Sequence, residues 1–456
     1  MNVLFLTRDA YDESPVLAEV SAALRAAGHA TSLLVERLEG APWAAARALG
    51  PGLAVVQASV LAERWAALAA ARAKAALGVP VAMAGSLPTF APERALESDA
   101  DLAIIGDAED TLVDLAGRVE RGEPYEEVAG LAYRRGGRVT SSARRSPRAD
   151  LDTLPLPDRE LYWSRYPALR DFPWKRFLAS RGCVYACTYC YQPLLRRAQG
   201  EPRDWLRVKS VGRVVAEVRD AAERAPLTHV HFGDDLFGAR VAWLEDLAER
   251  FPREIGLGFS CQLAPELATE RTVALLARAG CRALGIGVES GDEERRRTVL
   301  NRSASDAVTL AAARRVRAAG IALVTFNLVG APGEGADEVW RTIRFNHALR
   351  TDFARVTLAF GLPGGELFGA GPPPPPPSRE VRNLFHLFGW ATALPWAAPA
   401  LRVLARWPLG PLAASGLLVR LWKEFRTFRV PLVAGARFFL RVGAPSGRTQ
   451  AFAALP

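Results

Sequence analysis

Lysine and long apolar runs are scarce in this chain of 456 residues. Only four of its 58 basic residues are lysine (Lys74, Lys175, Lys209 and Lys423), so arginine supplies the other 54 and most of the positive side of a net charge of +9. The arginines are interspersed with acids, and no basic block carries interleaved aromatic residues. This composition is typical of a GC-rich genome rather than of a nucleic-acid surface, and we expect no nucleic-acid partner.

The amino terminus lacks the apolar stretch of a secretory signal. Its first apolar run, residues 3–6, is followed at once by Arg8 and Asp9, whereas a signal peptide needs about 7–15 apolar residues. The five cysteines are odd in number, and three of them fall within eight residues. Such a set does not read as a disulfide framework, so we expect a cytoplasmic protein.

Short apolar runs alternate with helical patterns over the first third of the chain. Strands are predicted at 3–6, 31–35, 53–57, 79–84 and 102–105, and a Gly-Gly hairpin follows at 131–139. This alternation predicts a parallel sheet with right-handed crossovers, whose ligands bind beyond the carboxyl ends of the strands. We therefore expect a Rossmann-like domain at 1–130, followed by the hairpin and a proline-rich linker at 131–170.

A second alternating series follows. Strands are predicted at 176–180, 229–232, 256–260, 283–288, 322–329 and 355–360, with helical patterns between them. Six βα units predict a partial TIM-type barrel at 171–370, with its active-site loops at the carboxyl ends of the strands. The overall class is then α/β, ending in a polyproline run and a mainly helical, apolar region at 371–456.

Cys183, Cys187 and Cys190 form a C-x3-C-x2-C cluster directly after the first strand of this second series. Thiolates are the usual ligands of iron–sulfur clusters, and a fully protein-ligated [4Fe–4S] cluster takes four. Three ligands leave one iron open to chelate the amino and carboxylate groups of a methionine. A zinc site completed by Cys261, Cys281 or a distant histidine is an alternative, as are unligated thiols. We interpret Cys261 and Cys281 themselves as small buried hydrophobic residues.

Acidic residues follow other predicted strands. Asp234 and Asp235 come after the second strand, and Glu289 ends the fully apolar fourth strand. Buried carboxylates are costly unless they bind a cationic group, which marks these residues as candidate ligands. The alternatives are a helix cap by one aspartate and a structural salt bridge at Glu289.

The cysteine spacing, with Tyr189 before the last cysteine, resembles the hallmark of the radical S-adenosylmethionine (SAM) superfamily. The Gly-Ala-Pro-Gly-Glu turn at 330–334 is also similar to that family's pattern, whereas the turn at 362–367 has Gly365 where a threonine is usual. The resemblance implies a [4Fe–4S] cluster on the three cysteines and an electron donor such as flavodoxin or ferredoxin. One electron would cleave SAM to methionine and a 5′-deoxyadenosyl radical. The implied SAM-binding residues are Tyr189, Asp234, Asp235, Glu289, Ser290 and Asn327.

The amino-terminal part resembles the cobalamin-binding domains that precede some radical SAM barrels. The similarity lies in the loops at 85–89 and 106–111 and in the linker at 154–159. Tyr11 stands where many such domains carry a cobalt-ligating histidine, so that loop offers no imidazole. A domain that only packs on the barrel and shapes substrate access is the alternative. The implied cobalamin-binding residues are Tyr11, Gly85, Pro88, Thr89, Gly106 and Glu109.

Together these resemblances imply a cobalamin-dependent methyltransferase acting on an unactivated carbon of a small, hydrophobic or lipid-like molecule. A cobalamin-independent or cyclase-type radical SAM oxidoreductase and a non-catalytic cofactor-binding sensor or accessory protein are the alternatives. The tail, with Trp390, Trp396, Trp407 and Trp422, is expected to pack on the barrel as helices. Peripheral contact with the inner face of the membrane, or a span at the uncharged residues 383–401, is the alternative for this region.

Overall fold

The computed structural model describes residues 1–10, 13–369 and 375–409. The chain divides into two compact units. The first comprises residues 1–186, 190–227 and 362–365, and the second comprises residues 187–189, 228–361 and those from 366 onward. Each unit has its own parallel sheet and is described separately below. The domain boundaries expected from the sequence stay a prediction.

Ten strands belong to the first unit. They are β1 (Asn2–Thr7), β2 (Ala30–Val35), β3 (Leu53–Gln57), β4 (Val81–Ala84), β5 (Leu102–Ile104), β6 (Leu131–Arg135), β7 (Arg138–Ser141), β8 (Trp174–Phe177), β9 (Ser180–Arg181) and β10 (Arg207–Val208). The first seven form one sheet in the order β2-β1-β3-β4-β5-β6-β7, parallel from β2 to β5 and antiparallel at β6 and β7. The order reverses at β1, which makes the carboxyl end of β1 the topological switch point of a doubly wound sheet.

The helices of the first unit connect these strands. They are α1 (Pro15–Ala26), α2 (Pro42–Ala48), α3 (Glu63–Leu77), α4 (Ser86–Phe90), α5 (Pro92–Leu96), α6 (Glu109–Arg121), α7 (Glu160–Trp163), α8 (Pro167–Asp171), α9 (Tyr191–Ala198) and α10 (Val211–Arg224). Local sequence explains where α1 lies. Ser14 caps its first turn by accepting from the Leu17 amide, Pro15 takes the first helical position, and Gly28, with φ +90°, follows its end.

The second unit contains five parallel strands in the order β15-β14-β13-β12-β11. Their bounds are β11 (His229–Phe232), β12 (Gly258–Leu263), β13 (Cys281–Glu289), β14 (Ala322–Val329) and β15 (Phe353–Leu358). The helices are α11 (Val241–Glu254), α12 (Glu270–Ala279), α13 (Glu293–Thr298), α14 (Asp306–Ala318), α15 (Ala336–Leu349), α16 (Arg379–Ala393) and α17 (Ala398–Ala405). Residues alternate along β12 between buried and half-buried, as in a half-barrel wall with one face against helices.

The predicted fold class is confirmed. A Rossmann-like sheet precedes a parallel half-barrel sheet, and the Gly-Gly hairpin turns at Gly136 and Gly137, which both have positive φ. The first predicted barrel strand is found as β8, two residues earlier than expected.

The described part of the tail is helical and packed, as expected. Val381, Leu384 and Phe388 of α16 lie in one apolar cluster with Val339 and Ile343 of α15. Helix α16 ends at Ala393, two residues before a proline, within the uncharged stretch considered as a span. No helix in residues 1–10, 13–369 and 375–409 is long and apolar enough to cross a membrane. Trp422 lies outside the described residues.

Candidate functional site

The three clustered cysteines are free thiols. Cys187 is buried, whereas Cys183 and Cys190 are half-buried. The Cys190 sulfur sits at the amino end of α9, 3.5 Å from the Gln192 amide that points at it. Cys183 follows Gly182, whose φ of +95° and close approach to the Trp205 carbonyl leave no room for a side chain. The backbone around the cluster is therefore built for a tight loop that presents thiols.

Cys187 lies beside a guanidinium in the second unit. Arg302 Nη1 is 3.7 Å from Cys187 Sγ, and Arg302 Nη2 donates to the Gly287 carbonyl at 3.1 Å. Thr188 fixes the cysteine segment, because its hydroxyl donates to the Val299 carbonyl at 2.7 Å. Three cysteine side chains on one loop supply the type of ligand that iron–sulfur clusters use. The donor set thus fits an iron–sulfur cluster by its chemistry.

No group of three or more His, Cys, Asp or Glu side chains is gathered as a ready metal site within the part of the chain that the structure describes.

Glu289 ends β13 with an unusual backbone. Its φ is +62°, and the pairing of β13 with β14 shifts register between Gly287 and Glu289. A left-handed, non-glycine residue next to a bulge is strained, and such strain is concentrated at functional sites. A Cβ on Gly287 would lie 2.7 Å from Glu289 Oε1 and 3.1 Å from Arg302 Nη2, so a side chain here would displace both of these groups.

The Glu289 carboxyl group belongs to a polar network with Cys187. Burial raises its pKa, while the Arg302 charge and a hydrogen bond with Tyr189 pull the pKa down. Arg302 therefore faces both a carboxylate and a cysteine sulfur. The ion-pair interpretation of Glu289 and its SAM-binding interpretation remain compatible, because a carboxylate oriented by a neighbouring cation can still accept from a ligand. Arg302 is a site residue that the sequence interpretation did not select.

Asp234 and Asp235 lie in the loop after β11. Asp234 is almost fully buried, and its carbonyl accepts from Gln262 Nε2 at 2.8 Å. Helix α11 begins at Val241 with Arg240 at its cap and no side-chain capping bond. The alternative that one aspartate caps this helix is therefore wrong.

Asn327 and Ser290 are buried at the ends of β14 and β13. The Asn327 amide group donates to the Arg355 carbonyl at 2.9 Å and accepts from Asn346 Nδ2 at 2.7 Å. The Ser290 carbonyl accepts from Arg296 Nη1 at 2.6 Å. Both ends of the Asn327 amide are used within the barrel wall, so its SAM-binding role stays a prediction that needs rearranged contacts.

The two predicted cobalamin loops are joined by one side chain. Thr89 Oγ1 donates to the Gly85 carbonyl at 2.7 Å and accepts from the Gly106 amide at 3.1 Å. Gly85 and Gly106 both have positive φ, and Pro88 is buried in α4. The Gln199 side chain covers Gly106, and its buried Oε1 has no hydrogen-bond partner. An unpartnered acceptor at this sheet edge fits a ligand with N–H groups; Tyr11 lies outside the described residues.

Glu109 is engaged in a buried ion network of the first unit. Arg181, two residues before Cys183, donates to Glu109 at 2.5 Å and also to Glu19. Lys209 donates to Glu19 at 2.6 Å. Burial would raise the pKa of Glu19, but Arg181 and Lys209 hold it at about 2, whereas burial keeps the pKa of Glu109 raised. The network anchors the strand that enters the cysteine loop, and no sequence motif marked it.

Glu334 gives a testable pH effect in the Gly-Ala-Pro-Gly-Glu turn. Its Oε2 accepts from the Gly330 amide, and burial raises its pKa from 4.5 to about 7. A raised carboxyl pKa contributes stability that is complete below pH 4.5 and is lost as the pH rises through 7. Between about pH 5 and about pH 8, we expect the wild type to lose about 2 kcal/mol of unfolding free energy that Glu334→Gln does not lose.

Urea unfolding across this pH range measures that difference. The control is Glu249→Gln, whose side chain is 70 % exposed beside Arg253; it should follow the wild-type pH profile. Parallel profiles for wild type and Glu334→Gln would show that Glu334 is ionised normally.

Parts of this chain are similar to a known protein family and to a curated protein. Residues 177–345 match the model of the Radical SAM superfamily. An uncharacterized methyltransferase of Pyrococcus horikoshii is 26% identical over 63% of this chain, and the match spans 62% of that relative.

Two solved structures share the fold. The radical SAM methyltransferase TsrM from Kitasatospora setae, with cobalamin and a [4Fe–4S] cluster bound, superimposes with a TM-score of 0.67 at 18% identity, over 80% of this chain and 76% of that one. The cobalamin-dependent radical SAM enzyme OxsB, with aqua-cobalamin and SAM bound, gives 0.63 at 18% identity, over 78% of this chain and 53% of that one. Residues 177–345 are therefore a radical SAM domain, and in this chain it follows a Rossmann-like domain.

Proposed function

We propose that this chain is a cobalamin-dependent radical SAM methyltransferase acting on an unactivated carbon of a small or hydrophobic molecule. The observation that carries the proposal is the presence, in one chain, of a radical SAM domain and a preceding doubly wound sheet with glycine loops at its carboxyl edge. TsrM and OxsB, which combine cobalamin with radical SAM chemistry, support it through their shared fold.

The SAM half of the proposal assigns roles to residues of the cysteine loop and the half-barrel. Cys183, Cys187 and Cys190 would hold a [4Fe–4S] cluster, which would supply the electron for SAM cleavage. Arg302 positions Cys187 by donating to its sulfur at 3.7 Å. Glu289 orients the bound SAM by accepting from its hydroxyl or ammonium groups. Asp234, Asp235, Tyr189, Ser290 and Asn327 complete the proposed SAM-binding set.

The cobalamin half rests on the carboxyl edge of the first sheet. Gly85 and Gly106 let backbone approach a ligand, Pro88 and Thr89 shape the loop, and Glu109 begins the following helix. The unpartnered Gln199 oxygen supplies an acceptor for ligand amides. Tyr11 completes the proposed set from the sequence alone.

One observation favours a second candidate function. Gln199 lies within 2.6 to 2.8 Å of where a Cβ on Gly106 would stand, so a side chain of this protein covers one proposed cobalamin loop. Because the Gln199 side chain occupies the space over Gly106, this loop favours a cobalamin-independent radical SAM oxidoreductase. In such an enzyme the first sheet would only shape substrate access.

The proposal also covers the localisation of the enzyme and its partners. We infer a cytoplasmic enzyme that receives electrons from a flavodoxin or ferredoxin and acts on a small or lipid-like substrate. Its C-terminal region contacts the inner face of the membrane peripherally, and no nucleic acid takes part.

Anaerobic reconstitution with iron, sulfide and hydroxocobalamin tests the proposal. With SAM and dithionite, we expect 5′-deoxyadenosine by chromatography and a corrin absorbance band that stays with the protein after gel filtration. Glu289→Gln should raise the KM for SAM about tenfold or more with unchanged iron content, because a charge-assisted hydrogen bond is lost. Glu294→Gln, 67 % exposed on α13, is the matched control and should leave the KM unchanged.

The outcomes separate the two halves of the proposal. If wild type forms no 5′-deoxyadenosine, the radical SAM activity is refuted. If 5′-deoxyadenosine forms but no corrin is retained, methyl transfer from cobalamin is refuted and the second candidate is supported.

A further inference from the structure

The sheet of the second unit has one face covered by helix α11 and an opposite face that carries polar side chains. Phe232 of β11 and Phe259 of β12 pack against Phe251 of α11, with ring centroids 6.0 and 5.6 Å away. Successive residues of a strand point to opposite faces, so the half-buried His231 and Ser260 lie on the face away from α11. We refer to that side of β11 and β12 as the polar face.

Two imidazole rings on the polar face share one hydroxyl group. Ser260 Oγ lies 3.0 Å from His229 Nε2 and 2.9 Å from His231 Nδ1. A serine hydroxyl has one proton and two lone pairs, so it can donate to one ring and accept from the other. This bridge holds both rings side by side on the sheet.

A β-bulge brings Arg282 to the same place. The pairing of β12 with β13 shifts register between Phe259 and Ser260, which leaves Arg282 as an extra residue of β13. Bulges change the direction of a side chain. The Arg282 Cγ and Nε atoms lie 2.8 and 3.2 Å from the position that a Cβ on Gly258 would take, and Gly258 pairs with His229. The arginine side chain therefore lies across β12 beside the imidazoles.

The charges in this group of residues are not balanced. Burial and the nearby Arg282 charge lower the pKa of His229 from 6.5 to about 4, so this imidazole is neutral at physiological pH. Arg282 is exposed, and among the described residues no acid pairs with it. A cation next to two imidazoles offers positive charge and N–H donors, which is the requirement of a negatively charged ligand. We refer to His229, His231, Ser260 and Arg282 as the His–Arg cluster.

We propose that the His–Arg cluster binds the oxyanion group, a carboxylate or a phosphate, of a small molecule. The planar guanidinium of an arginine takes either group through two parallel hydrogen bonds, and imidazole N–H groups add further donors. The cluster lies outside the residues assigned to SAM and cobalamin. Gln262, two residues or about 7 Å beyond Ser260 on the polar face, donates to the Asp234 carbonyl at 2.8 Å. The cluster is thus near the loop assigned to SAM and separate from it.

This inference goes beyond the proposed function and does not depend on the radical chemistry. The chain has five histidines, so the ring signals of isotopically labelled histidine can be followed individually by NMR in the full-length reconstituted protein. Inorganic phosphate and acetate are titrated separately. We expect saturable shifts of the His229 and His231 signals. The His347 signal is the internal control, because this ring contacts the Ala391 carbonyl at 2.9 Å, away from the cluster, and should not shift.

A pair of arginine variants tests the source of the binding. Arg282→Gln should weaken the binding of the anion at least tenfold, because a charge-assisted bidentate contact is lost. Arg271→Gln is the matched control, since this arginine is 69% exposed on α12 beside Glu245, and it should bind the anion as the wild type does.

The outcomes assign the ligand or overturn the site. Saturation by phosphate alone assigns a phosphate ligand, saturation by acetate alone assigns a carboxylate ligand, and saturation by both supports the shared oxyanion chemistry. Unshifted His229 and His231 signals with both anions, an equal shift of His347, or undiminished binding by Arg282→Gln would overturn the proposal. Absence of 5′-deoxyadenosine from the wild type refutes the enzymatic proposal alone, since anion binding is measured separately.

Discussion

Replacing Cys187 by serine should remove nearly all bound iron and reduce 5′-deoxyadenosine formation to background. Serine keeps the size of the side chain but cannot supply the thiolate that iron–sulfur clusters require. Cys187 is the most buried of the three clustered cysteines and the one beside Arg302, so a water molecule is poorly placed to substitute. Iron content, the visible absorbance of the reconstituted protein and its low-temperature electron paramagnetic resonance spectrum measure the loss.

Cys281→Ala is the matched control for this result. Cys281 is buried and its sulfur lies 3.9 Å from that of Cys261, whose pKa burial raises well above its ordinary value. Cys281 lies in β13, outside the C-x3-C-x2-C cluster, so the control should keep its iron and its 5′-deoxyadenosine formation. Equal iron loss in both variants would contradict the assignment of the cluster and would favour a site that also uses the second pair of cysteines.

Glu19→Gln should lower the free energy of unfolding of the protein by about 3–5 kcal/mol. Glu19 is fully buried between Arg181 and Lys209, and the amide would remove the anion that these buried cations share, so that Arg181 would keep Glu109 and Lys209 would keep Glu217. Glu127 provides the control, because its carboxylate is 85% exposed and lies 3.9 Å from Arg118. Glu127→Gln should change the free energy of unfolding by less than about 0.5 kcal/mol. Urea unfolding at neutral pH, followed by circular dichroism, measures both variants.

The pH dependence of the Glu19 effect has a definite sign. Its pKa is lowered from 4.5 to about 2, so its stabilising contribution is complete above pH 4.5 and is lost as the pH falls through 2. The difference between wild type and Glu19→Gln should therefore shrink on acidification through that window. A difference that stays constant over the window would show that the ionised carboxylate is not what stabilises the network.

The periodicity of apolar residues predicted most strands well because burial dictates it. Strands at 53–57, 229–232 and 322–329 have the predicted bounds. Strand β12 was predicted two residues early because Gly256 was counted as strand, whereas its φ of +69° belongs to the turn that follows α11. Strand β15 begins earlier than predicted, since Phe353 already pairs with Val324. Apolar periodicity alone does not show where a left-handed residue ends a helix.

The candidate site was predictable where its residues follow a local spacing. The cysteine loop, Asp234 and Glu289 are selected as candidates because a motif or a strand end marks them, and their roles stay predictions. Arg181 was not, because its partner Glu19 is 162 residues away and only the fold brings the charges together. The same holds for Gln199 over Gly106, and for Asn346, which satisfies the Asn327 amide that the sequence interpretation assigned to SAM.

The left-handed backbone of Glu289 sets a trade-off between activity and robustness at that position. Glycine adopts a φ of +62° freely, whereas an L side chain in this region costs about 1–2 kcal/mol. Backbone strain alone would therefore favour glycine there, whereas the proposed SAM contact of the carboxylate and its interactions with Arg302 and Tyr189 oppose that change. Variants recovered in a screen for thermal tolerance are then expected to include replacements at 289 that fold better and no longer turn over SAM.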